Sequence, residues 1–197
     1  MIFLQIHNLQ KTVFMLIFLQ IQQSIPPENT VKIEYKELFT VEALETLRKV
    51  AFKVWPQTFA AILSSEQISY MMDMMYSPEV LQRELAAGMH FEIIHINSEP
   101  SGYIAYSRYD KNPGTAKLHK VYLLPGFHSL GIGQQMLDHA QEQCRKLGFS
   151  NILLTVNKNN QRAIKAYKRN GFTVTDAVCT PIGKGFFMDD YIMQKAL

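Results

Sequence analysis

The stretch that most restricts what this chain can fold into is VYLLPGFHSLGIGQQML, residues 121–137. It begins like a β-strand, breaks at Pro125-Gly126, and then places two glycines around one isoleucine at the start of an amphipathic helix. Glycine loses the most backbone entropy on ordering, so this pattern costs stability. The first N–H groups of a helix have no internal partner and carry partial positive charge, which favours an anion there. The pattern therefore predicts a phosphate-binding loop, and its alternative is a tight strand-to-helix turn without a ligand.

Two common nucleotide-binding motifs do not fit this loop. A dinucleotide fingerprint requires a third glycine at the position that Met136 occupies. A Walker loop requires Gly-Lys-Ser/Thr, but Gly133 is followed by two glutamines. A phosphate bound here therefore belongs to another class of ligand.

Apolar periodicity divides the rest of the chain into helices and strands. Thr40 and Ser77 are predicted N-caps, and Pro78 supplies the first position of a helix. The predicted helices are 41–55, 64–76, 77–88, 131–147 and 160–170. The predicted strands are 31–35, 89–96, 102–109, 115–124, 151–156, 172–179 and 186–194. This order predicts an α/β (α+β) fold, a mixed sheet with helices on both faces.

Composition limits the classes of partner. The formal charge of +3 is spread along 197 residues, which is weak evidence for nucleic acid. Two cysteines without metal or redox spacing predict buried free thiols and a cytoplasmic location. Residues 1–28 form an extra apolar segment, too short and too broken by glutamines to span a membrane, and its role stays open. One domain is predicted over 29–197.

Two stretches resemble one family. His128-Ser129-Leu130-Gly131-Ile132-Gly133 resembles motif A of the GNAT acetyltransferase superfamily, Gln/Arg-x-x-Gly-x-Gly/Ala, which binds the pyrophosphate of acetyl-CoA; His128 departs from the usual Gln or Arg. LLTVNKNNQRAIKAYKRNGF resembles the motif B region, with matches at Asn160, Ala163, Tyr167, Gly171 and Phe172. In element order the resemblance covers 31–197. The ending IGKGFFMDDYIMQKAL and the early VWPQTFAAILSSEQISYMMDMMY more loosely resemble bacterial PaiA-type spermidine/spermine acetyltransferases.

The resemblance implies a GNAT-like mixed, mostly antiparallel sheet of about seven strands. In this family the fourth and fifth strands splay apart and the pantetheine arm fills the gap. Backbone groups of Val121 and Leu123 are then expected to pair with its amides, with Tyr122 between them; ordinary sheet core is the alternative. Asn160 is expected to contact the coenzyme arm, to cap its helix, or both. The pyrophosphate is expected against Ser129, Leu130, Gly131, Ile132, Gly133 and Gln134.

The resemblance also implies the chemistry. Tyr167 is expected to donate a proton or hydrogen bond to the departing thiolate, and simple packing beside Ile164 is its alternative. The base is less defined, because Thr155 stands where many relatives carry a glutamate. His119 is the leading candidate, since alternation places it on the face of Val121, and it stands ahead of Asp189 and Asp190.

The sequence thus predicts an acetyl-CoA-dependent N-acetyltransferase. The acetyl group is expected to pass from acetyl-CoA, the acyl donor, to a primary amine of a small molecule such as a polyamine, by direct attack in a ternary complex. A protein lysine or amino-terminal acetyltransferase and a non-catalytic acyl-CoA-binding module are the alternatives. No metal, nucleic acid or membrane is expected to take part, and the resemblance allows a homodimer.

Overall fold

Strand pairing organises residues 31–197, the part of the chain that the computed structural model describes. Seven strands form one sheet in the order β1-β2-β3-β4-β5-β7-β6. Only β4 and β5 run parallel, and every other neighbouring pair is antiparallel. The strands are β1 (Ile33–Glu37), β2 (His90–Ile96), β3 (Glu99–Tyr109), β4 (Asn112–Leu123), β5 (Asn151–Asn157), β6 (Thr173–Gly183) and β7 (Phe186–Ala196). The predicted mixed, mostly antiparallel sheet is confirmed.

Five α-helices cover the described sheet. They are α1 (Val41–Phe59), α2 (Ser65–Tyr76), α3 (Pro78–Ala86), α4 (Ile132–Lys146) and α5 (Gln161–Arg169). The side chains of Thr40, Ser64 and Ser77 accept from backbone N–H groups in the first turns of α1, α2 and α3. These caps satisfy donors that a helix start leaves free, so the local sequence is sufficient to begin all three helices.

Two apolar cores lie on opposite faces of the sheet. One contains the buried faces of α1, α2 and α3 packed on β2 and β3, including Trp55, Met71, Met72 and Tyr103. The other contains the buried faces of α4 and α5 packed on β2 through β5, including Met136 and Tyr167. The adjacent methionines of α2 are therefore mainly core residues.

Several elements extend beyond their predicted ends. Helix α1 continues through Pro56 to Phe59, and the Ala60 N–H donates to the Pro56 carbonyl at 3.1 Å. Strand β3 begins at Glu99, before its predicted start at 102, and pairs with β2 up to a two-residue turn at Asn97 and Ser98, both with positive φ. Such turns match the twist of the flanking strands and let the pairing continue to the turn itself.

The predicted segment 1–28 lies outside the described residues, so its boundary with the domain stays a prediction. Residues Ile33–Leu197 form one compact unit. Cys144 is buried and Cys179 is exposed, and both are free. In the described part of the chain, no helix is long and apolar enough to cross a membrane.

Candidate active site

A gap opens in the middle of the sheet, where β4 and β5 stop pairing. Their parallel register runs only from Thr115 opposite Asn151 to Leu118 opposite Leu154. Beyond it β4 continues to Leu123 along β3, while β5 continues to Asn157 along β7. Each strand therefore keeps its outer neighbour and presents an unpaired inner edge.

The polar groups of two β4 residues face this gap. The Leu124 N–H donates to the Ser101 carbonyl on the β3 side at 2.8 Å. The Tyr122 carbonyl also points to β3, because a Cβ added to Gly102 would lie 2.7 Å from it. Backbone groups alternate in direction along a strand, so those of Val121 and Leu123 point away from β3. The sequence singled out the same two residues.

One of these polar groups is already bonded. His128 Nε2 donates to the Leu123 carbonyl at 2.9 Å, which fixes the ring tautomer with the proton on Nε2. Burial lowers the pKa of His128 and the charge of Arg162 adds to this, while the hydrogen bond opposes both. His128 therefore closes the end of the gap as a neutral donor. Among the described residues, the N–H of Leu123 and both polar groups of Val121 have no partner and face the gap.

The loop before α4 presents a row of backbone N–H groups. Ser129 and Gly131 both have positive φ, at 66° and 76°, and the cap position of α4 has no side-chain cap. Within residues 31–197, the N–H groups of 129–133 have no hydrogen-bond acceptor, whereas Gln134 N–H donates to the Gly131 carbonyl at 3.1 Å. Successive free N–H groups at a helix start form an anion-binding concavity. Gln134 is the least available member of the predicted set.

The two glycines of this loop, Gly131 and Gly133, have different structural roles. Gly131 adopts the left-handed region, which side chains rarely enter. Gly133 has no such φ, and a Cβ there would meet no atom within 4 Å. The fold therefore requires Gly131 and does not require Gly133. The open space beside Gly133 lies where a ligand would approach the free N–H groups.

Replacing Gly131 by Ala should therefore destabilise the fold itself. The left-handed conformation costs an L-residue about 1–2 kcal/mol, so the free energy of unfolding should fall by roughly that amount. Urea denaturation followed by circular dichroism measures the change, with Gly133→Ala as the matched control. Equal stability of Gly131→Ala and wild type would contradict the left-handed geometry.

Two of the predicted site residues belong to helix α5: Asn160 is its N-cap, and Tyr167 lies near its end. Asn160 Oδ1 accepts from the Ala163 N–H at 3.2 Å, so this residue caps the helix. Tyr167 is buried, and its ring lies 6.0 Å from that of Phe172. Its hydroxyl has no hydrogen-bond partner among residues 31–197, and it is not sealed from solvent. Burial raises the pKa of Tyr167, so the phenol stays protonated.

Helix α5 is tied to α4 through Asn170, which sequence reasoning treated only as a helix stop. The Asn170 amide donates to Asp138 at 2.8 Å and accepts from Gln141 at 2.7 Å. Asp138 in turn accepts from the Gln134 side chain at 3.1 Å. This network links the loop before α4 to the helix that carries Tyr167, and only the packing of the two helices reveals it.

His119 lies at an irregularity of β4. Leu118 and Lys120 pair with consecutive residues of β3, so His119 is the extra residue of a β-bulge. The bulge interrupts the alternation on which the prediction of its face depended. Its Nε2 shares a hydrogen bond of 2.9 Å with the Ser107 hydroxyl. Burial, followed by the charges of Lys117 and Lys120, lowers the pKa of His119 to about 3.

Within residues 31–197, no group of three or more His, Cys, Asp or Glu side chains is placed to hold a metal ion. The site therefore consists of a divided sheet, a loop of free N–H groups and a buried phenol. This combination suits a ligand with an anionic head and an extended amide-bearing arm.

Comparison with known proteins defines the class. Residues 52–172 match the acetyltransferase (GNAT) family, and the chain belongs to that family. It is an N-acetyltransferase. The spermidine N(1)-acetyltransferase of Thermoplasma acidophilum is 30% identical over 165 residues, 83% of this chain and 96% of that protein.

Two further comparisons bear on the fold and the acceptor. The crystal structure of PaiA N-acetyltransferase from Thermoplasma acidophilum in complex with coenzyme A has a TM-score of 0.70 and 29% identity, covering 84% of this chain and 99% of that one. N-alpha-acetyltransferase 50 of Danio rerio is 28% identical over 125 residues, 62% of this chain and 74% of that protein.

Proposed function

We propose that this protein transfers the acetyl group of acetyl-CoA to a primary amine of a small molecule, with both substrates bound together. The observation that carries the proposal is that, within residues 31–197, the main chain of Val121 at the gap and the N–H groups of 129–133 have no hydrogen-bond partner. A relative of similar length acts as a spermidine N(1)-acetyltransferase, which supports a polyamine acceptor.

The free backbone N–H groups of the described residues suit the phosphates and amides of coenzyme A. The N–H groups of Ser129, Leu130, Gly131, Ile132 and Gly133 would bind the pyrophosphate oxygens. Val121 and the Leu123 N–H would pair with the pantetheine amides, as one strand pairs with another. Arg162 lies close enough to His128 to affect its pKa and adds a positive charge near the phosphates. Asn160 orders the start of α5 beside the arm.

Tyr167 would assist the leaving group. The acetyl carbon accepts the amine, the C–S bond breaks, and sulfur departs with the electron pair. A protonated phenol beside the sulfur would supply a proton or hydrogen bond at that moment. The hydroxyl of Tyr167 suits this role, since it makes no hydrogen bond to residues 31–197 that the reaction must break.

The acceptor amine requires a proton acceptor. A primary amine with a pKa of about 10.4 is charged at pH 7, and freeing it costs roughly 4–5 kcal/mol. His119 stays the first sequence-based candidate, although a ring with a pKa of about 3 is a weak base at neutral pH.

The proposal is tested by measuring thiol release from acetyl-CoA with a panel of spermidine, spermine, single amino acids and peptides. We expect turnover with the polyamines, and mass spectrometry should find one acetyl group on a primary nitrogen. Coenzyme binding without turnover on any amine would instead identify a non-catalytic acyl-CoA-binding module.

A second candidate acceptor is the amino terminus of a protein. The similarity to N-alpha-acetyltransferase 50 of Danio rerio favours it. The same panel distinguishes the two, because a peptide acetyltransferase should prefer peptides with free amino termini by kcat/KM. A homodimer and a cytoplasmic location stay predictions.

A further inference from the structure

A buried carboxylate lies at the edge of the gap. Asp190 on β7 pairs with Asn157, the last residue of β5, and is 6% exposed. Within residues 31–197 its side chain has no hydrogen-bond or ion-pair partner, yet its oxygens are not sealed from solvent. A buried charge without a partner is costly, and such groups are concentrated at functional sites.

Asp190 and Tyr167 approach the gap from opposite faces of the sheet. Met188, two residues before Asp190, packs with the core under α1–α3, and alternation places Asp190 on that face. Tyr167 belongs to the core under α4 and α5. Tyr122 on β4 packs with the core under α1–α3, and both Tyr167 and Asp190 are close enough to raise its pKa, so the two groups lie near the same part of β4. An acetyl carbonyl in the gap would therefore have the phenol on one side and the carboxylate on the other.

We propose that Asp190 is the general base that accepts the proton of the acceptor amine. The inference rests on the acetyl transfer proposed above. Of the two protons that an ammonium acceptor loses, one passes through Asp190 to solvent. The other leaves as the C–N bond is completed and is matched by the proton that Tyr167 gives to sulfur. The thioester thus becomes an amide and a free thiol. Asp190 gives the proton that it accepted to solvent, Tyr167 takes up the second proton of the amine through solvent, and one proton is released in total.

The other candidates suit the role less. Asp189 points to the opposite side of β7, is largely exposed and forms an ion pair with Lys158. His119 is bonded to Ser107 and is a much weaker base. Burial, followed by repulsion from Asp189, raises the pKa of Asp190 to about 6, against the attraction of Lys117 and Lys158. That value lies near neutral pH, where a general base is most effective.

The test compares Asp190→Asn with wild type on two acceptors, spermidine and trifluoroethylamine, the latter being a primary amine that is neutral at pH 7. We expect kcat with spermidine to fall about 10²-fold or more, and kcat with trifluoroethylamine to fall much less, because that amine needs no help before attack. Asp176→Asn, on the exposed strand β6, is the matched control and should leave both rates unchanged.

The pH profile and stability provide independent readouts. Wild-type kcat/KM should fall tenfold per pH unit below about pH 6, and Asp190→Asn should abolish this limb. Asp189→Asn should move the limb to lower pH, because it removes the repulsion that raises the pKa. The pKa of Asp190 is about 6 in the folded chain against an ordinary value of 3.8, so the fold loses stability as the pH rises from about 4 through about 6 and stays less stable above that. Asp190→Asn should therefore raise Tm at pH 7.5 but not near pH 4.

Four results would overturn the inference. An unchanged kcat in Asp190→Asn, in a protein whose wild type acetylates spermidine, excludes Asp190 alone and leaves the proposed function standing. An equal loss with both acceptors, or a pH limb that survives in Asp190→Asn and disappears in His119→Gln, assigns the proton to another group. A wild type that acetylates no amine overturns the proposed function as well.

Discussion

Replacing Tyr167 by Phe is expected to lower kcat about 10²-fold or more while leaving the Kd for coenzyme A nearly unchanged. The hydroxyl has no partner among the described residues, so its removal leaves no buried donor or acceptor unsatisfied. The ring keeps its packing against Phe172. The loss should therefore appear in the chemical step and in neither folding nor coenzyme binding.

Thiol release at saturating acetyl-CoA measures kcat, and calorimetry with coenzyme A measures Kd. Tyr109→Phe, at the far end of β3, is the matched control and should have wild-type kcat. A wild-type rate in Tyr167→Phe removes this residue from the role of acid. A higher Kd for coenzyme A would instead indicate that the hydroxyl contacts the coenzyme.

Replacing Gly133 by Leu should have opposite effects on stability and on binding. A Cβ at this position meets open space, and glycine in a helix costs about 0.8–1 kcal/mol relative to Ala. Leu should therefore leave the free energy of unfolding equal or higher. A helical side chain leans toward the N-terminus, so Leu would lie over the free N–H groups of the loop. We expect the Kd for coenzyme A to rise at least about tenfold, or roughly 1.4 kcal/mol.

Gly133→Ala separates the two effects. The motif that the loop resembles accepts Ala at this position, so Ala should gain the helical stability with little loss of affinity. Calorimetry and urea denaturation on the three proteins complete the test. Unchanged coenzyme binding in a stably folded Gly133→Leu would mean that the phosphates lie elsewhere.

Local sequence was enough to predict the helices, the strands and the turn at the start of α4. The caps at Thr40 and Ser77 and the glycine at 131 act within one turn of the chain, so the residues that determine the structure are adjacent in sequence. The left-handed conformation at Gly131 is equally local, because it depends on the absence of a Cβ at that one position. The family motifs lie in these local stretches.

The features that sequence did not reveal depend on register between distant strands. The bulge at His119 lies in the pairing of β3 with β4, and no composition signal marks it. Asp190 lies beside the gap because β7 pairs with β5 at one register, and a shift of one residue would turn it to the other face. The hydrogen bond from His128 to the Leu123 carbonyl depends on how the chain turns between these two residues, which the sequence alone does not specify.

The short parallel register between β4 and β5 has a mechanical consequence. Among the described residues, four residue pairs join the two halves of the sheet, and the donor molecule proposed to lie beyond them would extend this pairing with its own amides. Cofactor supply and structural integrity are then coupled: at a concentration of one hundred times Kd the bound molecule would add about 2.7 kcal/mol to the resistance against unfolding. The free energy of unfolding of this protein should therefore be higher in a cell with abundant acetyl-CoA than in a starved one.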